Sequence, residues 1–110
     1  MTKEMNVSYI KPYHQFTQTE SIMNKHIYNK FLNWISSEFD LYLQDELNGL
    51  EVFFPDGKFS IKPISENKND ILIEINVKSK NLNLMNLIGN QIISIHDQIE
   101  SIYSKSVEKS

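Results

Sequence analysis

From residue 71 to residue 78 every second side chain is a branched aliphatic, Ile71, Ile73, Ile75 and Val77, and the positions between them hold Leu72, Glu74, Asn76 and Lys78. A period of two cannot lay a stripe on a helix, whose faces repeat about every 3.6 residues, so this stretch is a strand with one buried side. The same alternation recurs upstream. Phe39, Leu41 and Leu43 alternate with Asp40, Tyr42 and Gln44; Leu50, Val52 and Phe54 with Glu51 and Phe53; Phe59 and Ile61 with Lys58, Ser60 and Lys62. Asn48-Gly49 supplies residues that tolerate positive φ, and Pro55-Asp56-Gly57 is turn chemistry. Pro63 has no N–H to give a ladder, so the third strand is expected to end there or to lie at an edge. Four short strands joined by tight turns make an antiparallel meander with a single apolar face.

That face needs a cover. Thr17 with Glu20 three residues on has the spacing of a capping box, and Met23, Ile27, Phe31, Trp34 and Ile35 recur at three and four, so the pattern predicts a helix from Gln18 to Ser37. A second amphipathic stripe, Leu84, Ile88, Ile92, Ile95, Ile99 and Ile102, predicts a helix from Leu82 to Tyr103. Gly89 in its middle costs about 1 kcal/mol against Ala, and its expected use is close approach of helix to sheet. The expected fold is α+β: a two-layer open-faced sandwich in the order α-β-β-β-β-α, with both helices on one face of the sheet. Residues 1–16 are expected to be an extended or flexible arm, residues 17–103 a single domain, and residues 104–110 a flexible tail.

A chain of 110 residues, 40% apolar and 23% charged, holds one core and is globular in composition. Its net charge is −3, and all eleven basic residues are Lys, so a phosphate-binding fork of Arg is excluded and nucleic acid is an unfavoured partner. No Cys is present, which removes thiolate metal sites, disulfides and thiol nucleophiles. The opening MTKEMNVSYI lacks a signal-peptide apolar core, and no run reaches the roughly 18 apolar residues that span a bilayer. A cytoplasmic protein with no membrane partner is the expectation.

Several features resemble the uncharacterised bacterial domain-of-unknown-function family 2218. They are Thr17 before a first helix, a hairpin turn from Phe54 to Gly57 in FFPDGKF, a strand of alternating aliphatics, and a closing helix that begins Leu84 to Ile88. The resemblance implies His in the first and last helices, positions that His26 and His96 occupy here, and a link to iron or siderophore handling. It transfers no catalytic residue.

His26 and His96 are thus the candidate cleft, one on each helix, although no H-x-x-H or H-E-x-x-H spacing marks a metal site. No metal ligand set, catalytic residue or cofactor is assigned. Asp40, Asp45, Glu46, Asp97 and Glu100 fall at turns and solvent faces rather than in a cleft, and no Ser sits in a nucleophile elbow. PDGK at residues 55–58 is a hairpin turn, not a phosphate loop. Lys58, Lys62 and Lys78 beside Tyr42 and Phe53 faintly suggest a stacking platform for single strands, which Glu51 and Glu74 weaken. Tyr42, Phe53 and Leu72 break the polar outer face of the sheet and form the candidate partner surface. The function expected on these grounds is a small interaction or accessory domain, self-associating as a homodimer or binding another protein. The alternative is a domain that binds a small molecule or metal.

Overall fold

The computed structural model of the chain describes residues 4–67 and 70–108. In chain order the elements are β1 (Glu4–Ile10), β2 (Tyr13–Ile22), α1 (Lys25–Glu38), β3 (Leu43–Asp45), β4 (Leu50–Phe54), β5 (Gly57–Glu66), β6 (Ile71–Ser79) and α2 (Leu82–Glu108). All strands pair antiparallel in one six-stranded sheet of order β1-β2-β6-β5-β4-β3. The class is α+β, but the order is β-β-α-β-β-β-β-α.

The strongly alternating half of the sequence behaves as its period dictates. Leu50, Val52 and Phe54 of β4, Phe59 and Ile61 of β5, and Ile71, Ile73, Ile75 and Val77 of β6 are all buried. They join Ile27, Phe31 and Ile35 of α1 and Met85, Ile88, Ile92, Ile95 and Ile99 of α2 in one core. α2 lies against β2 and β6, and α1 packs on α2. Pro63 does not end β5, which continues to Glu66. β4 pairs β5 only as far as Ile61, and the register against β6 slips between Pro63 and Ser65. The proline therefore occupies a local edge at a bulge, where its missing N–H is harmless.

Three expectations fail at the N-terminal end. The arm assigned to residues 1–16 is, from Glu4 on, a hairpin that continues into β2, and β2 runs beside β6 from His14↔Ser79 to Ile22↔Ile71. Thr17 caps nothing: it sits mid-strand, where its hydroxyl accepts from Asn76 Nδ2 at 3.0 Å. The helix starts at Lys25 instead, because Asn24 is extended and its Oδ1 accepts the Ile27 N–H at 3.0 Å. Met23 precedes that cap and is exposed. The proposed strand at Phe39–Leu43 also dissolves. Phe39 closes α1 and packs edge-on against Phe59, and Tyr42 N–H returns to the Phe39 carbonyl in a turn. What remains is the short edge strand β3. It is tied back by Gln44, whose Nε2 donates to the Ser36 and Phe39 carbonyls at 3.0 and 2.9 Å, joining the Tyr42 N–H on the latter at the end of α1.

At the other terminus α2 begins where expected, with Asn81 Oδ1 accepting the Leu84 N–H at 3.0 Å, and its backbone continues to Glu108 rather than fraying at Tyr103. Residues 109–110 lie outside the described residues. Among the described residues no helix is long and apolar enough to cross a membrane.

Candidate functional site

β2 carries an anomaly. Its inward positions are Phe16, Gln18, Glu20 and Ile22, so two polar side chains face the core opposite Ile75 and Ile73. Glu20 is 3% and His96 1% exposed, burial that an ionisable group tolerates only with partners. Gln18 Nε2 donates to Glu20 Oε2. From α2, His96 places Nδ1 3.9 Å from Glu20 Oε1 and 3.3 Å from Asp97 Oδ1, while Nε2 lies 3.1 Å from the Ser21 carbonyl oxygen. A carbonyl can only accept, so Nε2 carries a hydrogen and Nδ1 is the atom turned to the carboxylates. Phe31 of α1 closes the group edge-on, its ring centroid 5.8 Å from the imidazole. The network joins β2, α1 and α2 through polar contacts inside the core.

His96, Asp97 and Glu100 each bring one potential ligand atom within 4.8 Å of the others. Asp97 and Glu100 are exposed, and exposed acidic groups adjoin in this way without any ion. No metal centre is drawn from them.

The second feature is a groove of about 460 Å³ between α1 and the β3–β4 connection, bounded by Lys25, Tyr28, Leu32, Leu47, Pro63 and Glu66. Local chemistry fixes both walls. Ile27, Phe31 and Ile35 aim α1 into the core, which leaves Tyr28 and Leu32 at the border of that stripe. Gly49 turns the chain into β4 with φ +91°, and a Cβ there would sit 2.2 Å from the Ile61 carbonyl oxygen, so the turn can pack this close only as glycine. Tyr28 is 7% exposed and its hydroxyl is buried without a hydrogen-bond partner. Burial, aided by the nearby Glu66 charge, raises its pKa above the ordinary 10.0, so the phenol keeps its proton and remains a donor.

The candidate histidines part company. His26 is exposed in the first turn of α1, His96 is buried, and none of the described partners of His96 is His26. His14 lies on β2 with its ring 4.8 Å from that of Tyr9. Tyr42 is in no strand; it stacks at 6.4 Å on Phe39 just before Leu43, which pairs with Phe53. Tyr42 and Phe53 are therefore close to the β3 edge. Leu72 lies on β6 opposite Ser21 and Ser65, at the other end of the sheet. Sequence reasoning passes over Tyr28, Gln18 and Glu20 as site members. Tyr28 carries no motif and lies beside Ile27 of the helical stripe, and Glu20 reads as half of a capping box.

No family model matches the chain, and no curated protein matches it either. Among solved structures it is similar to the crystal structure of CalU16 from Micromonospora echinospora, at 8% identity over 99% of this chain and 92% of that one, with a TM-score of 0.48.

Proposed function

We propose that the chain is a non-catalytic binding domain that takes a small amphipathic molecule in the groove beneath α1. The observation that carries this reading is Tyr28, a residue of that groove's wall whose buried hydroxyl has no hydrogen-bond partner. An orphaned buried donor costs roughly 1–3 kcal/mol, a cost that a ligand acceptor would remove. The volume falls in the ordinary range for small-molecule sites. Leu32, Leu47, Pro63 and Ile71 supply apolar wall, and Glu46 and Glu66 outnumber Lys25. The occupant is thus neutral or cationic, with an oxygen or nitrogen acceptor for Tyr28. Ligand-observed NMR with a fragment panel that includes ferric siderophores, run on the wild type and on Tyr28→Phe, tests this. Hits with acceptors should lose affinity in the variant; an empty panel, or hits indifferent to Tyr28→Phe and Leu32→Glu alike, would sink it.

A second reading has its own observation. Leu41, Leu43 and Leu47 are 93%, 74% and 93% exposed around the β3 edge, next to Tyr42 and Phe53. Open edges bearing apolar residues invite pairing with another chain. Self-association through β3 predicts a dimer by light scattering that Leu43→Lys dissociates, and a monomeric mass at high concentration would remove it.

A further inference from the structure

At the opposite end of the sheet from the Tyr28 groove, three lysines converge. Lys58 and Lys78 face each other directly in the β5–β6 ladder, and Lys80 follows just beyond the end of β6. All three line one hollow of about 380 Å³ together with the rings of Tyr13 and Phe53. The backbone there is drawn tight, since a Cβ on Gly57 would lie 1.9 Å from the Lys78 carbonyl oxygen.

Their charges are poorly answered. Lys58 has Glu51 at 3.6 Å, but the same carboxylate also lies 3.6 Å from Lys62. Among the described residues Lys78 and Lys80 have no carboxylate within ion-pair distance, although Asp56 lines the same hollow. Like charges directly opposite on an antiparallel pair destabilise it, so the fold carries a repulsion that an anion would relieve. Two of the ammonium groups also mark aromatic faces. Lys58 Nζ is 5.8 Å from the Phe53 ring centroid and Lys80 Nζ is 6.0 Å from that of Tyr13.

We propose that this corner is a binding site for a small polyanion carrying a planar ring, the chemistry of a nucleoside phosphate. The lysines meet the phosphates as point charges, and Phe53, itself partly exposed, and Tyr13 offer flat surfaces to the ring. One nucleotide suits the volume better than a strand does. Glu51 at the margin of the corner and Glu74 further along the same sheet face would repel a continuing phosphate backbone, as would the net charge of −3.

Calorimetric titration at low salt with ATP, adenosine, inorganic phosphate and a single-stranded oligoadenylate tests the proposal. ATP should bind, more weakly as salt rises, and at least about tenfold more tightly than adenosine or phosphate alone. Lys78→Ala should weaken ATP about tenfold or more, while Tyr28→Phe leaves it unchanged, so that this site and the α1 groove stand or fall separately. The Lys78→Ala urea midpoint should equal or exceed that of the wild type, which shows that lost binding is not lost folding. No binding at about 1 mM ATP, or binding that survives Lys58→Ala with Lys78→Ala, overturns the site. Phosphate binding as tight as ATP overturns the role of the ring, and an oligonucleotide preferred about tenfold over ATP makes the ligand a strand instead.

Discussion

His96→Leu asks whether the buried polar network holds α2 to β2. The substitution keeps a similar volume and removes two things. The Ser21 carbonyl loses the donor at 3.1 Å, and the buried Glu20 carboxylate loses the imidazole whose Nδ1 is 3.9 Å away. A buried polar group left without its partner costs about 1–3 kcal/mol, and two such groups are affected. The two overlap, so about 2–4 kcal/mol in total is expected, against a stability of roughly 5–15 kcal/mol for a domain of this size. With a urea slope of about 1.5 kcal/mol per molar, the midpoint should fall by roughly 1.5–2.5 M. Trp34, the only tryptophan, is half-buried on α1 against the core, so its fluorescence reports the transition. The double variant Glu20→Leu/His96→Leu should be more stable than His96→Leu alone, because paired polar groups replaced together by apolar ones leave less uncompensated charge in the core. A midpoint within about 0.5 M of wild type for His96→Leu, or a double variant that loses the sum of both singles, would refute the idea that the pair acts as a unit.

Tyr28→Phe should leave stability unchanged or raise it by about 1 kcal/mol in urea melts, since it deletes a buried hydroxyl that has no partner. Because the folded-state pKa of Tyr28 lies above its ordinary 10.0, the native state keeps a proton that the unfolded chain releases. Its contribution to stability is therefore constant below pH 10 and declines as pH climbs past it, and the wild-type melt should show an alkaline loss that Tyr28→Phe lessens. Gly57→Ala and Gly89→Ala should move thermal midpoints in opposite directions. The first drives a Cβ into the Lys78 carbonyl, whereas the second meets the Phe16 ring at an ordinary 3.5 Å and gains up to about 1 kcal/mol of helix propensity. Gln44→Ala should cost about 1–2 kcal/mol by removing the amide donor from the Ser36 carbonyl and one of two donors from the Phe39 carbonyl, and hydrogen exchange there should quicken before it does elsewhere.

The parts of the fold that could be read from the sequence are those where one rule acts alone. β4, β5, β6 and α2 combine clean periodicity with one-sided burial, and each lies where its pattern places it. β2 conceals itself because two inward positions are Gln18 and Glu20, which erases the alternation, and because Thr17 to Glu20 imitates a helix start. What helps decide the matter is not local: on its core face Glu20 is met by His96, seventy-six residues later, arriving on α2. Phe39, Leu41 and Leu43 fail in the opposite sense. Their alternation is genuine, yet Gln44 and the Phe39–Tyr42 turn bind the segment to the end of α1, leaving Leu41 and Leu43 in water. Gly89 reads as a close approach of helix to sheet, and it does lie over the Phe16 ring, but the space there admits a methyl group.

Two buried side-chain atoms among the described residues lack a hydrogen-bond partner, Gln18 Oε1 and Tyr28 Oη, and they have different standing. Gln18 belongs to a packed network, already spends its amide on Glu20, and lines neither the α1 groove nor the lysine corner. Amides have several bonding groups, and one idle oxygen beside a used nitrogen is a modest cost to a network that positions three elements. Tyr28 has a single hydroxyl, keeps its proton, and belongs to the wall of a groove of about 460 Å³. Folding alone could be served equally well by Phe at that position, at lower cost. The groove, rather than the polar network around His96, is therefore where the proposed ligand would recover stability that this fold gives up.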